Sequence, residues 1–303
     1  MSASPALILA VTMLLLGKVY ARSGVLPAYT PEVINRLVIW LFLPALVLKA
    51  VHGLHFDPRL LVLIGTPWLL AAVTVAVVLS LQRWLGWPRE VSACLLLCVA
   101  LGNTAFLGYP MIEATLGAAA LPYAVVYDQL GSFLLLSSFG VMVVAVYSGA
   151  RRPPWWTVLR KIVTFPSFGA LLLGLLPWPR PPLLEGLIDS LAGLLVPLAM
   201  FAVGFQLKLV PPRAYALPML AGLGLKLLLL PALAFGIAHL AGAEALLTAV
   251  NTLQSAMPAM ITAGALAIDA RLAPDLAAAL VGYGILISVL WLPLLAKLVL
   301  AVA

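Results

Sequence analysis

Charged side chains are scarce in this sequence. Only 9% of the 303 residues are charged, whereas 64% are hydrophobic, and a soluble domain is typically about a quarter charged. This scarcity excludes a water-soluble surface. Because a membrane-spanning helix needs about 20 mostly apolar residues, the chain has room for about ten or eleven spans and for no soluble domain. Any function is therefore expected within the bilayer.

Cysteine, histidine and several catalytic motifs are also rare or missing. Cys94 and Cys98 are the two cysteines, and without a second pair or a nearby His to complete a metal site we interpret them as packing residues. The sequence has no GxxxxGK[ST] loop, no HExxH pair, and no Ser or Cys beside a His that is expected to be buried. We therefore expect no metal, no other cofactor and no enzymatic activity.

Apolar runs between charged residues, Pro and Gly predict an all-α polytopic membrane protein with ten transmembrane helices. Because the basic residues lie between these runs, we assign them to orientation in the lipid bilayer and expect no nucleic-acid partner. The predicted spans are 5–21, 33–51, 60–82, 90–116, 122–147, 158–177, 187–207, 214–240, 245–268 and 275–301.

Basic residues are distributed unequally between the two sides of the membrane. Successive loops are assigned to alternate sides. Twelve of the 17 fall on one side and four on the other, with Lys226 inside a span. The basic-rich side receives Lys18, Arg22, Arg36, Arg83, Arg89, Arg151, Arg152, Arg160, Lys161, Lys208, Arg213 and Arg271. Since cytoplasmic loops carry an excess of Lys and Arg, both termini of this multi-pass protein of the inner or plasma membrane are predicted to face outward.

Three pairs of prolines have members that are separated by about half the chain length. The members of each pair lie 153, 151 and 148 residues apart and fall in the second, third and fourth predicted spans of each half. The pairs are Pro44 and Pro197, Pro67 and Pro218, and Pro110 and Pro258. Because five spans per half is an odd number, similar halves must have opposite orientations, as in many secondary transporters. We predict inverted repeats at 1–150 and 151–303.

The fourth and ninth predicted spans contain residues that disfavour a continuous helix. Glycine, Asn, Thr and Pro interrupt the apolar run between 101 and 110, and a similar polar group with a proline lies between 251 and 264. Proline disrupts a helix interior, and unpaired backbone groups are tolerated in hydrocarbon only where they line a cavity or meet protein groups. Matching breaks in two halves indicate a transporter binding site. The substrate-binding candidates are Asn103, Thr104, Gly108, Pro110, Gln254, Ser255 and Pro258.

A break of this kind can bind a ligand or simply bend a helix. Half-helix N-termini present free N–H groups to an anion, and half-helix C-termini suit a cation. The alternative is a proline kink whose polar side chains pair with neighbouring helices. A single interrupted span would favour the kink, whereas two in matching positions favour the binding site.

The motif residues resemble those of the auxin efflux carrier family, which includes bacterial carriers for malonate and related small organic anions. The resemblance rests on Leu16-Gly17-Lys18 to Leu26-Pro27, Phe42-Leu43-Pro44-Ala45-Leu46, Gly102-Asn103-Thr104 to Gly108-Tyr109-Pro110, Pro197-Leu198-Ala199-Met200 leading to Gly204, and Gln254 to Pro258. It implies a ten-helix fold similar to bile-acid symporters and sodium-proton antiporters, with crossed broken helices at the substrate site. It also implies a scaffold from the first two spans of each half, a moving domain from the last three, and a homodimer.

Three charged residues fall inside predicted spans. Glu113, Asp128 and Lys226 are functional hypotheses, because an ionised group at the bilayer centre costs at least about 2.5 to 3.5 kcal/mol. Lys226 could neutralise a bound carboxylate or pair with Asp128 or Glu113, and Glu113 could instead lie at the outer mouth of its span. A carboxylate that titrates near neutral pH could couple proton movement to transport, and sodium is the other coupling ion that we consider.

These observations predict secondary active transport of a small organic anion, a carboxylate, with the elevator-like alternating access that the resemblance implies. The alternative is a non-transporting membrane sensor or receptor with the same fold, which the sequence does not distinguish from a carrier.

The predicted topology can be tested with reporter fusions. A fluorescent protein fused to the C-terminus and expressed in bacteria should stay dark, because the predicted outward orientation exports it unfolded, whereas an alkaline phosphatase fusion should be active. Bright fluorescence would contradict this orientation.

Overall fold

The computed structural model describes residues 5–52, 54, 57–149, 154–176, 179–207, 209 and 213–302, and these residues form helices and short connections. The connection that we predict between the two repeats falls mostly outside them, at 150–153. The helices are α1 Pro5–Ser23, α2 Thr30–Ala50, α3 Pro58–Leu85, α4 Arg89–Ala100, α5 Gly108–Leu116, α6 Ala118–Ser148, α7 Trp155–Val163, α8 Pro166–Gly174, α9 Pro182–Gln206, α10 Ala216–Leu240, α11 Ala245–Ser255, α12 Ile261–Asp269 and α13 Pro274–Val302.

Seven of the helices in the described ranges are long and apolar enough to cross a membrane, and eight if α7 and α8, bent by 61°, form one span. The seven are α1, α2, α3, α6, α9, α10 and α13, and each coincides with a predicted span. The other three predicted spans each correspond to two helices: 90–116 to α4 and α5, 158–177 to α7 and α8, and 245–268 to α11 and α12. The protein is therefore a multi-pass membrane protein, and ten crossings stay a prediction.

Both predicted helix breaks are present, with boundaries that differ from those expected. The first break covers 101–107, and Pro110 lies in the first turn of α5, where a missing N–H disturbs no helical hydrogen bond. The second break covers 256–260, so Gln254 and Ser255 belong to the last turn of α11. Cys94 and Cys98 are free, buried thiols in α4.

Several long helices contain short π-helical segments. These lie at Val38–Phe42 in α2, at Tyr127–Ser132 and Leu136–Gly140 in α6, and at Leu225–Leu229 in α10. Such segments shift the side chains that follow around the helix axis and are frequent at functional sites. Two of the three predicted intramembrane charges, Asp128 and Lys226, lie in them.

Helices α1, α2, α8 and α9 pack against one another and form the first of two groups. The closest approach is between α1 and α9, where a Cβ atom on Gly17 would overlap the Phe201 carbonyl and one on Gly204 would overlap the Leu14 carbonyl. Small residues allow this backbone contact, which is a common packing mode of membrane helices. Gly174 of α8 packs in a similar way on Val51, at the end of α2.

Polar contacts tie the first group together near helix ends. Lys18 Nζ donates to the Leu207 carbonyl at the end of α9, at 2.5 Å, and Arg180 Nη2 donates to the Leu48 carbonyl near the end of α2, at 2.7 Å. Cations at a helix C-terminus satisfy its last carbonyls and its dipole. Lys49 of α2 also forms a salt bridge with Asp189 of α9, at 3.0 Å.

Helices α3, α4, α6 and α10 to α13 form the second group, which contains both breaks. Asn251 Nδ2 of α11 donates to the Ala234 carbonyl of α10 at 2.9 Å, and Trp291 Nε1 of α13 donates to the Leu227 carbonyl of α10 at 2.9 Å. Arg59 at the start of α3 pairs with Glu244, just before α11, at 2.6 Å. Helix α5 extends from the first break and packs on α1 of the first group through apolar side chains.

A cavity of about 790 Å³ separates the two groups on one side of the molecule. Its walls are the C-terminal ends of α1 and α9 and the start of α2 on one side, and α12 and α13 on the other. Most lining residues are apolar, and Lys18, Glu32 and Gln206 add polar groups. The inner wall includes Ile261, the first residue of α12.

The contact between α1 and α9 predicts a sharp difference between two glycines of the same helix. Gly204→Ala should destabilise the protein by about 1–3 kcal/mol, because the added methyl group overpacks a backbone contact. Gly186→Ala, where an added Cβ meets nothing within 4 Å, should be neutral or slightly stabilising, since Ala favours a helix. Thermal unfolding in detergent measures both, and equal melting temperatures would contradict the contact.

Candidate functional site

The two helix breaks cross and pair with each other. Gly102 and Ala259 form an antiparallel bridge, in which Asn103 N donates to the Pro258 carbonyl at 2.8 Å and Met260 N donates to the Leu101 carbonyl at 2.9 Å. Each break therefore satisfies backbone groups of the other, as a low-dielectric environment requires. The structure thus brings Asn103, Thr104 and Pro258 together at one crossing, with Gln254 and Ser255 just before it.

The helices that begin at the two breaks differ at their N-termini. In α5, Gly108 N donates to the Asn103 carbonyl at 3.0 Å and Tyr109 N to the Ala105 carbonyl at 3.3 Å, while Pro110 has no N–H. In α12, the amides of 261–263 have no acceptor among the described residues. Free amides at a helix N-terminus attract an anion, so α12 has the N-terminus better suited to a carboxylate.

Asp128, in a π-helical segment of α6, holds the first break in place. Its carboxylate accepts hydrogen bonds from Thr104 Oγ1 at 2.5 Å, Tyr109 OH at 2.7 Å and Gln129 Nε2 at 2.8 Å. The side chain is 3% exposed. Two of the three donors belong to the break or to the first turn of α5, so Asp128 fixes that segment against α6.

Gln254 and Ser255 connect α11 to the first break and to α6. Gln254 Nε2 donates to the Thr104 carbonyl at 3.2 Å and to the Ala124 carbonyl at 3.3 Å. Ser255 Oγ donates to the Asn251 carbonyl at 2.7 Å and lies 2.9 Å from Tyr127 OH, which can donate to it. An added Cβ at Gly108 would lie 2.5 Å from Gln254 Oε1, so a glycine there allows the two chains to approach.

Lys226 lies in a π-helical segment of α10, next to Gly102 of the first break. It is 5% exposed, and an added Cβ at Gly102 would lie 3.0 Å from its Nζ atom. Within the described part of the chain Lys226 forms no salt bridge, either with Asp128 or Glu113 or with any other acidic residue. Of the alternatives that the sequence left open, an internal pair with either carboxylate is therefore not formed.

Pro110 and Glu113 lie in α5, beyond the crossing in the sequence. Glu113 is half-buried, one turn beyond Pro110, and takes no part in the hydrogen bonds around Asp128. Pro110 is buried in the first turn of α5. The structure therefore groups the charged candidates Asp128 and Lys226 around the first break and leaves Glu113 apart.

Some buried polar atoms at the crossing have no hydrogen-bond partner in the described ranges. These include Asn103 Nδ2 and Gln254 Oε1. Gln254 and Lys226 both line a small cavity of about 10 Å³ beside Gly102 and Thr104, which is near the lower limit for one water molecule. Unpaired buried donors and acceptors are costly, so these atoms mark the crossing as a place where a polar ligand gains interactions.

Three residues of the site were not among the candidates predicted from the sequence: Tyr109, Tyr127 and Gln129. Tyr109 lies in the stretch Gly102-Asn103-Thr104 to Gly108-Tyr109-Pro110, and its position directly between Gly108 and Pro110 was the available signal. Gln129 follows Asp128 directly and donates to it. Tyr127 meets Ser255 across 128 residues of sequence, and no local pattern indicates that contact.

Comparison with known proteins identifies the family of this chain. A family model described as "Membrane transport protein" matches residues 3–151 and 155–296. The chain belongs to this family. It is the auxin efflux carrier family that the motif residues resemble, so this member of the membrane transport protein family is a transporter and not an enzyme.

Two relatives are similar over much of the chain. An "Uncharacterized transporter" of Methanothermobacter thermautotrophicus is 27% identical over 297 residues, which cover 93% of each protein. A "Putative malonate transporter" of Rhizobium meliloti is 26% identical over 214 residues, which cover 66% of this chain and 65% of the relative. Both names agree with membrane transport.

The contacts of Asp128 predict a stability difference between two aspartates. Asp128→Asn should lower the free energy of unfolding by about 1–3 kcal/mol, because an amide replaces one acceptor oxygen with a donor that faces other donors. Asp189→Asn removes a half-exposed ion pair and should cost less than about 1 kcal/mol. Thermal unfolding in detergent compares them, and an unchanged value for Asp128→Asn would show that its carboxyl does not act solely as an acceptor.

Proposed function

We propose that this transporter carries a small organic anion, a carboxylate, by secondary active transport, and that the anion binds where the two helix breaks cross. The observation that carries the proposal is the antiparallel pairing of Gly102 with Ala259. It gathers two helix ends and several buried polar side chains at one place between packed helices. Discontinuous helices of this kind bind substrates in transporters because their ends carry partial charges.

The N-terminus of α12 is the proposed carboxylate site. The amides of 261–263 have no acceptor among the described residues, and Asn103 Nδ2 on the other break is a buried donor without a partner. These donors suit the two oxygens of a carboxylate. The large cavity reaches Ile261, which gives an anion a route to this helix end.

Lys226 supplies the proposed charge compensation. A carboxylate that leaves water for the interior needs an opposite charge or several donors nearby. Lys226 Nζ lies beside the backbone of Gly102, and no acidic side chain in the described ranges neutralises it. In its protonated form Lys226 therefore favours an anionic substrate over a neutral or cationic one.

Packing contacts support the proposed ten spans in two inverted repeats. Gly17 of α1 meets α9 near Gly204, and Gly174 of α8 meets α2 at Val51. Val51 and Gly204 lie 153 residues apart, the same separation as Pro44 and Pro197. In this proposal α4 with α5 and α11 with α12 each form one interrupted span, and the α7–α8 pair forms the sixth, with α8 in the hydrocarbon core and α7 bent away at its edge.

The two helix groups support an elevator-like motion. Polar contacts hold each group together, such as Lys49 with Asp189 in the first and Arg59 with Glu244 in the second. The cavity separates α1, α2 and α9 from α12 and α13. It opens beside the C-terminal ends of α1 and α9, on the basic-rich side that the sequence predicts to be cytoplasmic. In this proposal the second group carries the crossing past the first, and the homodimer stays a prediction.

Counterflow into proteoliposomes tests the function. Purified protein should exchange at least one labelled carboxylate from a panel of dicarboxylates such as malonate, monocarboxylates and indole acids, but not neutral analogues of similar size, and Asn103→Ala should reduce the rate at least tenfold. The assay is run with a proton gradient, a sodium gradient or neither, which identifies the coupling ion. Binding without flux would favour the sensor, and unaltered flux in Asn103→Ala would refute the site.

Cysteine cross-linking tests the motion. Gln206→Cys with Ile268→Cys places thiols on opposite walls of the cavity, and a bifunctional reagent that joins them should stop counterflow because it ties the two groups together. Lys49→Cys with Asp189→Cys joins two positions within the first group, so the same treatment should leave flux nearly unchanged. Flux that survives the cross-link across the cavity would contradict the elevator-like motion.

A further inference from the structure

Helix α7 differs from the other helices in its exposure. None of its nine residues, Trp155–Val163, is buried, and it is bent by 61° from α8. Nine residues extend only about 14 Å, which is far short of the roughly 30 Å hydrocarbon core. The helix therefore cannot cross a bilayer by itself, and its direction departs from that of the helix that follows.

One face of α7 is an exposed apolar ridge, which consists of Trp155, Trp156, Leu159 and Val163. These side chains are 71%, 61%, 48% and 60% exposed, and at 100° per residue they fall within an arc of about 100°. Val158 and Ile162 are half-buried on the adjoining arc. Four large apolar side chains on one exposed face of a short helix require an apolar environment outside the protein.

The opposite part of α7 is basic. Arg160 and Lys161 are exposed and lie outside the arc of the apolar ridge, and acidic side chains are absent from the helix. The sequence adds Arg151 and Arg152 shortly before the helix. Tryptophan and apolar residues on one face, with Lys and Arg on the other, are typical of a helix that lies in the membrane interface and attracts anionic lipids.

The bend between α7 and α8 is fixed by packing. The ring of Phe165, at the bend, stacks on Phe133 of α6 with 4.3 Å between the ring centroids. Thr164 Oγ1 donates to the Arg160 carbonyl at 2.7 Å and completes the end of α7. Leu172 and Leu173 of α8 are also more than half exposed, as expected of side chains that face lipid tails.

We propose that α7 lies along the membrane interface and is a binding site for anionic phospholipid headgroups. The apolar ridge inserts among the acyl chains, and Arg160 and Lys161 bind the phosphate groups. Two features of α7 together favour this ligand. The two adjacent cations suit phosphate groups, and the apolar face suits acyl chains. The inference does not depend on which substrate is transported.

Spin labels measure the position of α7 directly. A nitroxide at Val163→Cys and one at Lys161→Cys are compared in vesicles of phosphatidylcholine with phosphatidylglycerol, and the native thiols, 0% and 1% exposed, should remain unlabelled. The label at position 163 should be accessible to oxygen dissolved in lipid, and the label at position 161 to a water-soluble nickel complex. A label at position 163 that is open to water, or shielded from both reagents by a protein contact, would overturn the proposal.

Lipid retention measures the headgroup site. Native mass spectrometry should show that the double variant Arg160→Gln, Lys161→Gln retains several-fold less phosphatidylglycerol than the unchanged protein, with retention of phosphatidylcholine unaffected. The matched control is Arg36→Gln, Arg83→Gln, which removes two exposed charges from the same predicted side and should retain phosphatidylglycerol normally. If both double variants lost phosphatidylglycerol equally, net charge alone would explain the retention, and the proposal of a specific site would be overturned.

Discussion

The pairing of the two helix breaks is the constraint on which the rest of this structure depends. A peptide group at the centre of a bilayer has no water to bond, so a broken helix exposes donors and acceptors that another part of the protein must satisfy. Here each break satisfies the other, through Asn103 N to the Pro258 carbonyl and Met260 N to the Leu101 carbonyl. Two breaks are therefore mutually dependent, and neither would be stable as a lone interruption.

The side chains around the crossing follow from this constraint. Thr104 and Tyr109 are held by the carboxylate of Asp128, and Gln254 reaches the Thr104 carbonyl from the other half of the chain. The resulting site is asymmetric, because the amides that begin α5 are paired whereas those that begin α12 have no acceptor in the described ranges. In the proposed site the two breaks therefore have different tasks: Asp128 positions the first, and the second offers amides to a ligand.

The sequence predicted the helices well where the physical signal is local. Seven predicted spans coincide with long apolar helices, since about 20 consecutive apolar residues have few alternatives to spanning. The sequence also located the two helix breaks, but their first and last residues differ from those predicted. Pro110 was expected to interrupt a helix and instead lies in the first turn of α5, while Gln254 and Ser255 complete the last turn of α11. The bend between α7 and α8 was missed, because Pro166 permits a new helix start as readily as a loop.

By itself, the sequence determined that this chain resides in a membrane, roughly where its interruptions lie, and that Asp128 and Lys226 fall within spans, because hydrophobicity, proline and glycine act through local free energies. Only the tertiary structure decided which of those groups meet. It separated Lys226 from Asp128, set Glu113 apart from both and joined Tyr127 to Ser255. It also left the α12 N-terminus beside the cavity, with amides that have no acceptor among the described residues. These outcomes depend on how two distant halves pack, and a contact across 128 residues has no signature in the residues next to it.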